Sequence, residues 1–392
     1  MRWEANRRDF LRGALATSAL LMATPARALA NGFNPQRHYA PVKVARNRII
    51  REIVGLRPYR DAGFRVETER VGNKLLIHNY GHGGAGITLS WGTASQALDI
   101  LTEPGAVATG SQQRRQRTPP RRFAVLGCGV NGLTTALLLQ RRFQNGPGTV
   151  TIYAKDLPPE TTSNIAGGFW YPTSVYDSGV ATTRFTEQFR SACRISNRAF
   201  QNLVGPHYGV RWIETLELYR DEASLIRELI GGNDLYTQIE THRDPEHYFG
   251  FPYARTYHTM LIEPPIYLNA LLRDFYIAGG RLVVKEFRSR EELKRLPEQV
   301  IFNCTGLGAR ALFNDQQLFP VRGQLEVLLP QPEIDYCYLS GRGYMFPRHD
   351  GIILGGTWDH DDWSLTPNPA QTNSILAAHQ EIMKNLNRKS RL

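Results

Sequence analysis

Residues 122–154 constrain this chain more than any other stretch. RFAVLG is an unbroken apolar run of the buried-strand type, and GCGVNG follows it directly. VNGLTTALLLQRRF then shows helical spacing, and TVTIYA is a second apolar strand. The three pieces make a βαβ unit of about 30 residues, which predicts an α/β fold. Gly127-x-Gly129-x-x-Gly132 lies where the strand ends and the helix begins. The first glycine permits a tight turn, the second lets backbone approach a pyrophosphate, and the third allows helix–strand packing. Val130 and Asn131 open the helix, whose unpaired N–H groups would meet the phosphate charge. The acidic ribose partner expected after the second strand falls on Lys155 and Asp156, so an NADP-like reading stays open beside it.

A turn of this kind usually opens a domain, yet more than a hundred residues precede it. They carry their own dense block, GLRPYRDAGFRVETERVGNKLLIHNYGHGGAGITLSWG. Arg48 to Ile53 is apolar and basic, and Gly55-Leu56-Arg57-Pro58 is expected to break it. GFRVETERV and KLLIHNY read as strands, and Thr88 to Ile100 as a helix entered from the glycine loop. Residues 102–122, rich in Pro, Gly, Gln and Arg, read as a linker. RLVVKEF and QVIFNCTG should return to the nucleotide-binding sheet, while YMFPR and GIILGGTW look like an antiparallel pair. The tail from Asn373 to Leu392 is predicted helical.

A length of 392 residues suits one large α/β body or two intimate ones. The net charge of +11 is dispersed and accompanied by no nucleic-acid motif, so it fits solubility and attraction of an anionic substrate better than nucleic acid. Cys128, Cys193, Cys304 and Cys337 form no zinc or C-x-x-C spacing. His78 and His82 flank a glycine loop with no third ligand placed, and no metal is expected. Asp359-His360-Asp361-Asp362 reads as a solvated turn. At the front, NRRDFLR, a short apolar run and Ala28-Leu29-Ala30 have the three parts of a twin-arginine export signal, with cleavage expected after Ala30. The apolar run falls well short of the ~20 residues of a membrane span. Ser390-Arg391-Leu392 is a competing, peroxisomal address.

Seven blocks resemble one family, the D-amino-acid oxidases and D-aspartate oxidases. They are GLRPYR at 55–60, HNYGHGG at 78–84, the glycine turn at 127–132, TTSNIAGGFWYP at 161–172, NCTG at 303–306, RGQ at 322–324 and LGG at 354–356. The resemblance implies a Rossmann-like FAD-binding domain with an interleaved α+β substrate domain, the latter at about 182–276 and 318–365. It also implies a circular permutation, because GxRPxR and HNYGHGG close the family's chains and open this one. Residues 31–101 would be the transposed segment and 123–392 the FAD-binding core.

Carried over by position, Arg57 would pair bidentately with a substrate carboxylate, and the Tyr344 hydroxyl would reach the same group. Gly84 would accept from the substrate amine, and Tyr171 would begin the pocket. Gly83, Gly84, Ala85, Gly86, Ile87 and Thr88 would line the flavin ring. Thr162, Ser163, Gly167, Gly168, Phe169 and Thr305 match cofactor contacts, as does the Phe287 backbone near the adenine. The implied reaction is oxidative deamination of D-amino acids to 2-oxo acids, ammonia and hydrogen peroxide, with dioxygen as acceptor. Trp358, just past LGG, tilts the side-chain preference to neutral or apolar substrates, although Arg342 and Arg348 leave an acidic one open. Ser340 stands where a lid tyrosine is usual. A flavin amine dehydrogenase and a non-catalytic flavin-binding envelope protein remain as alternatives, and a homodimer is possible.

Overall fold

The computed structural model describes residues 39–102, 122–143, 150–243 and 249–386. The expected leader at 1–30, nearly all of the 102–122 linker and the C-terminal tripeptide lie outside the described residues.

Two sheets organise the fold. The first is built on the βαβ unit: β4 (Phe123–Leu126) and β5 (Val150–Ala154) pair in parallel, and α2 (Val130–Phe143) connects them after α1 (Gly86–Asp99). β9 (Arg281–Val284) extends one side beyond β5. β10 (Val300–Asn303), β3 (Lys74–His78) and antiparallel β2 (Thr68–Val71) extend the other. The order β2-β3-β10-β4-β5-β9 reverses between β4 and β10, which is where a parallel α/β sheet opens a crevice at its strand ends. RLVVKEF and QVIFNCTG therefore join the nucleotide-type sheet as expected. β4 and β10 are buried along their full length, since helices cover both faces.

The second sheet has nine strands. Its main path runs β1 (Ile49–Tyr59), β11 (Phe319–Leu328), β14 (Gly351–Gly355), β13 (Gly343–Arg348), β12 (Tyr336–Ser340), β6 (Val210–Tyr219), β8 (Tyr253–Ile262) and β7 (Thr237–His242). β15 (Asp359–His360) pairs β11 off this path. Among the remaining helices, α3 (Thr183–Gln201) packs on α1, α4 (Pro264–Ile277) packs on α2, and α5 (Pro369–Leu386) lies against β11, β13 and β14. Among the described residues no helix is long and apolar enough to cross a membrane.

Three expectations change. Gly55 to Pro58 does not break the chain: β1 runs straight through it, with Pro58 opposite Pro320. β1 ends the sheet, and an edge strand tolerates a proline because that N–H need not serve the ladder. GFRVETERV is mostly loop, with only Thr68–Val71 in a strand and Arg65 bridged singly to Tyr80. Asp359 is no freely solvated turn residue, because its carboxylate takes a 2.9 Å bond from the buried Arg322 guanidinium.

Candidate active site

One cleft of about 1000 Å³ runs along the ends of β3, β10, β4 and β5 and on to the face of the nine-stranded sheet. That is the upper end of the range for small-molecule sites and suits a long ligand with a second compartment. Gly127 turns at φ +101°, and a Cβ on Gly132 would lie 2.0 Å from the Gly127 carbonyl oxygen. Only glycine lets α2 start so close to β4. The Ser163 hydroxyl accepts from the Val130 N–H at 3.0 Å, bringing the 162–165 turn over the same helix end.

A second helix end enters from the front of the chain. The Gly84 N–H donates to the Ser174 carbonyl at 2.8 Å, and the Thr88 hydroxyl lies 3.4 Å from the Phe169 and Tyr171 carbonyls. These contacts fasten Gly83, Gly86, Ile87 and Thr88 to the cleft wall. His82 orients the joint between the two helices. Its Nδ1 accepts from the Asn131 amide at 3.2 Å, and its Nε2–H meets the Thr93 hydroxyl at 3.0 Å. Complete burial pushes its pKa down to about 3, so the ring stays neutral and the tautomer is fixed.

Of the expected site residues, Arg57, Tyr344, Tyr171, Gly127, Gly129, Val130, Asn131, Lys155, Asp156, Thr162, Ser163, Gly167, Gly168, Phe169, Phe287 and Thr305 also line the cleft. Gly132 and Ala85 do not. Gly132 acts through packing against the turn, and Ala85 is buried in the core. The sequence did not single out Cys128, whose thiol burial pushes up to about 12, nor Trp363, Lys285 and Arg288 along the same walls. Lys285 sits 4.7 Å over the Phe287 ring at the end beyond β5.

The far compartment is built on one face of the nine-stranded sheet. Arg57 projects from β1 over Gly323 of β11, where any Cβ would fall 2.4 Å from its guanidinium nitrogens. Its Nη1 makes only long bonds, at 3.3 and 3.4 Å, to the Thr357 and Arg322 carbonyls, and Trp358 lies under it at 5.7 Å. Among the described residues no carboxylate pairs with Arg57. Tyr344 stands on β13 opposite Gly355, in a ring stack Tyr344–Phe346–Phe169 with centroid spacings of 4.8 Å. The stack fixes the ring, while the hydroxyl has no hydrogen-bond partner among the described residues. Arg342 and Arg348, in contrast, are engaged elsewhere. Arg342 pairs with Glu381, and buried Arg348 pairs with Asp350 at 2.6 Å.

Residues 122–391 match the family model described as DAO, FAD dependent oxidoreductase, and the chain belongs to that family. It is 34% identical over 263 residues to a D-amino-acid oxidase of Rubrobacter xylanophilus, covering 65% of this chain and 75% of that protein. It is 31% identical over 259 residues to the D-aspartate oxidase of Homo sapiens, covering 65% and 74%. A D-amino acid oxidase of Dugesia ryukyuensis is 28% identical over 274 residues, covering 67% and 78%. In fold it is similar to an L-proline dehydrogenase from P. horikoshii, with a TM-score of 0.51, 16% identity and coverage of 69% and 79%. The glycine oxidase of Bacillus cereus gives a TM-score of 0.50 at 16% identity, covering 66% and 76%.

The cleft fits the family's cofactor, FAD. The glycine turn and two helix N-termini suit a pyrophosphate, and the Asn79 and Asn131 carboxamide oxygens on the wall are buried without a partner among the described residues. Lys155, Asp156 and Phe287 would hold the nucleoside end, and the 83–88 segment the ring end.

Proposed function

We propose that this protein oxidises D-amino acids with dioxygen and water, giving 2-oxo acids, ammonia and hydrogen peroxide. The observation that carries this reading is the Arg57–Tyr344 pair: among the described residues a guanidinium without a carboxylate and a phenol without a partner, on one sheet face beside the cleft. A planar guanidinium takes a carboxylate bidentately, and the phenol adds a third donor, so one end of an amino acid is held at fixed height. Phe169, Phe346 and Trp358 then form apolar walls that displace water around the α-carbon. No side chain needs to act as a base, so the chain's contribution is orientation. Bound FAD supplies the acceptor for the electrons removed from the substrate Cα–H.

The N-terminal block is best read as a circularly permuted piece of the family fold. Support comes from the family match starting at residue 122 while β1 and β3 sit inside the two sheets. The paired arginines and Ala28-Leu29-Ala30 support export by the twin-arginine route to the periplasm. A preference for acidic substrates draws no support from Arg342 or Arg348, both held in ion pairs.

The test is peroxide and ammonia formation by the FAD-loaded enzyme with D-alanine and with L-alanine. Stoichiometric peroxide from the D-isomer alone is expected. Ammonia without peroxide would assign a dehydrogenase, and turnover of no D-amino acid at all would overturn the reading.

A further inference from the structure

The amino-acid end of the cleft has a second polar group, behind Tyr171. β6 pairs with β12 so that Glu217 stands opposite Leu339, and Leu339 in turn stands opposite Tyr344 on β13. Directly opposed residues in a sheet share a face, so Glu217 lies on the cleft side, about 10 Å or two strand spacings from Tyr344. The Tyr171 hydroxyl donates to Glu217 Oε1 at 3.1 Å. Oε2 is out of solvent and makes no well-formed hydrogen bond among the described residues, although the Tyr219 hydroxyl is close enough to act on the carboxylate as a second donor. Burial raises the Glu217 pKa from its ordinary value, against the opposing pull of the Tyr219 hydroxyl, the Arg255 charge and the Tyr171 hydroxyl.

The nearest cation does not close the account. Arg255 is opposite Glu217 on β8, but its Nη2 donates to the Ser224 and Leu225 carbonyls and its guanidinium lies 5.4 Å over the Tyr219 ring. Among the described residues no cation comes within ion-pair distance of Glu217, and Arg255 acts on it only through its charge. A phenol is a far weaker acid than a carboxyl, so the shared proton stays on Tyr171. With that proton directed to Glu217, the Tyr171 oxygen can meet any further group only as an acceptor.

Resting on the amino-acid reading above, the geometry points to Glu217, acting through Tyr171, as the residue that sets side-chain preference. It makes this end of the cleft an acceptor, favouring D-amino acids whose side chains carry an N–H donor, cationic ones above all, and rejecting acidic ones. An ammonium or guanidinium would donate to the Tyr171 oxygen, which has no donor of its own left to offer. A carboxylate would meet two acceptors and a like charge.

D-Lysine and D-norleucine, nearly equal in length and differing in the terminal ammonium, test this on the FAD-loaded enzyme. The wild type should prefer D-lysine in kcat/KM by about tenfold, the worth of one charge-assisted hydrogen bond, and should turn over D-glutamate slowest. Glu217→Gln and Tyr171→Phe should each bring the D-lysine to D-norleucine ratio to about one, chiefly through KM. The ratio is taken within each protein, so a general loss of activity cancels. A wild-type ratio at or below one, faster turnover of D-glutamate than of D-lysine, or an unchanged ratio in Glu217→Gln would overturn the inference. Turnover of D-norleucine alone would sink this inference and leave the proposed function standing, whereas inertness to every D-amino acid would sink both.

Discussion

Arg57 is only half-buried and its protein bonds are long, so replacing it should cost the fold little and the chemistry much. Arg57→Lys keeps the charge and loses the planar fork. It should lower kcat/KM for D-alanine by about 10–100-fold, from the loss of charge-assisted bonds worth about 1.5–3 kcal/mol. Tyr344→Phe should lower it by about tenfold, the smaller effect of one donor. Steady-state kinetics on the two variants checks both. Three buried histidines set a separate pH dependence. His82 is pushed down to about 3, and His78 and His379 to about 4, with burial the leading cause in each. His379 lies behind the site, its Nε2–H on the Gly355 carbonyl at 3.1 Å. The unfolded chain takes up these protons below about pH 6.5 and the native one does not, so stability should fall as pH drops from about 6.5 to 4. The slope is about 1.4 kcal/mol per pH unit for each histidine, and thermal melts across that window would measure it. A melting temperature that holds or rises on acidification would contradict this.

Among the elements, the strand–turn–helix at 122–143 was legible because its signal is local: an apolar run, three glycines at fixed offsets, a helical period. Gly132→Ala should push α2 off the turn, since the added carbon would sit 2.0 Å from the Gly127 carbonyl. The purified variant should carry well under half the flavin per chain of the wild type, read from its visible absorbance. Full retention would show that the turn yields. β1 was less legible, because a glycine and a proline break most strands and only the edge position excuses them. Glu217 escaped for a related reason. In IETLELY the two glutamates lie three apart and so on opposite faces of the strand, and only the pairing with β12 identifies the face of Glu217 as the inward one.

Across the whole molecule, residues far apart in sequence line one cleft. Arg57 and Tyr344 stand 287 positions apart, and the register through β11, β14 and β13 brings them to one sheet face (344 − 57 = 287). Motif resemblance named both residues, whereas no local property predicts that juxtaposition. The front segment supplies β1 and β2–β3 at one edge of each sheet and α1 against α2 and α3. A chain beginning at Arg122 should therefore fail to retain FAD and should aggregate, which size-exclusion chromatography with absorbance detection would reveal. A monodisperse yellow truncation would mean that the segment is dispensable to the fold. The most direct test of the central claim, that this front segment presents the guanidinium that seats a D-amino acid, is an anaerobic titration of the flavin spectrum with D-alanine. Wild type should bleach with D-alanine and not with L-alanine, and Arg57→Ala should need at least about tenfold more substrate for half-bleaching. Identical titration curves for the two proteins would contradict the account.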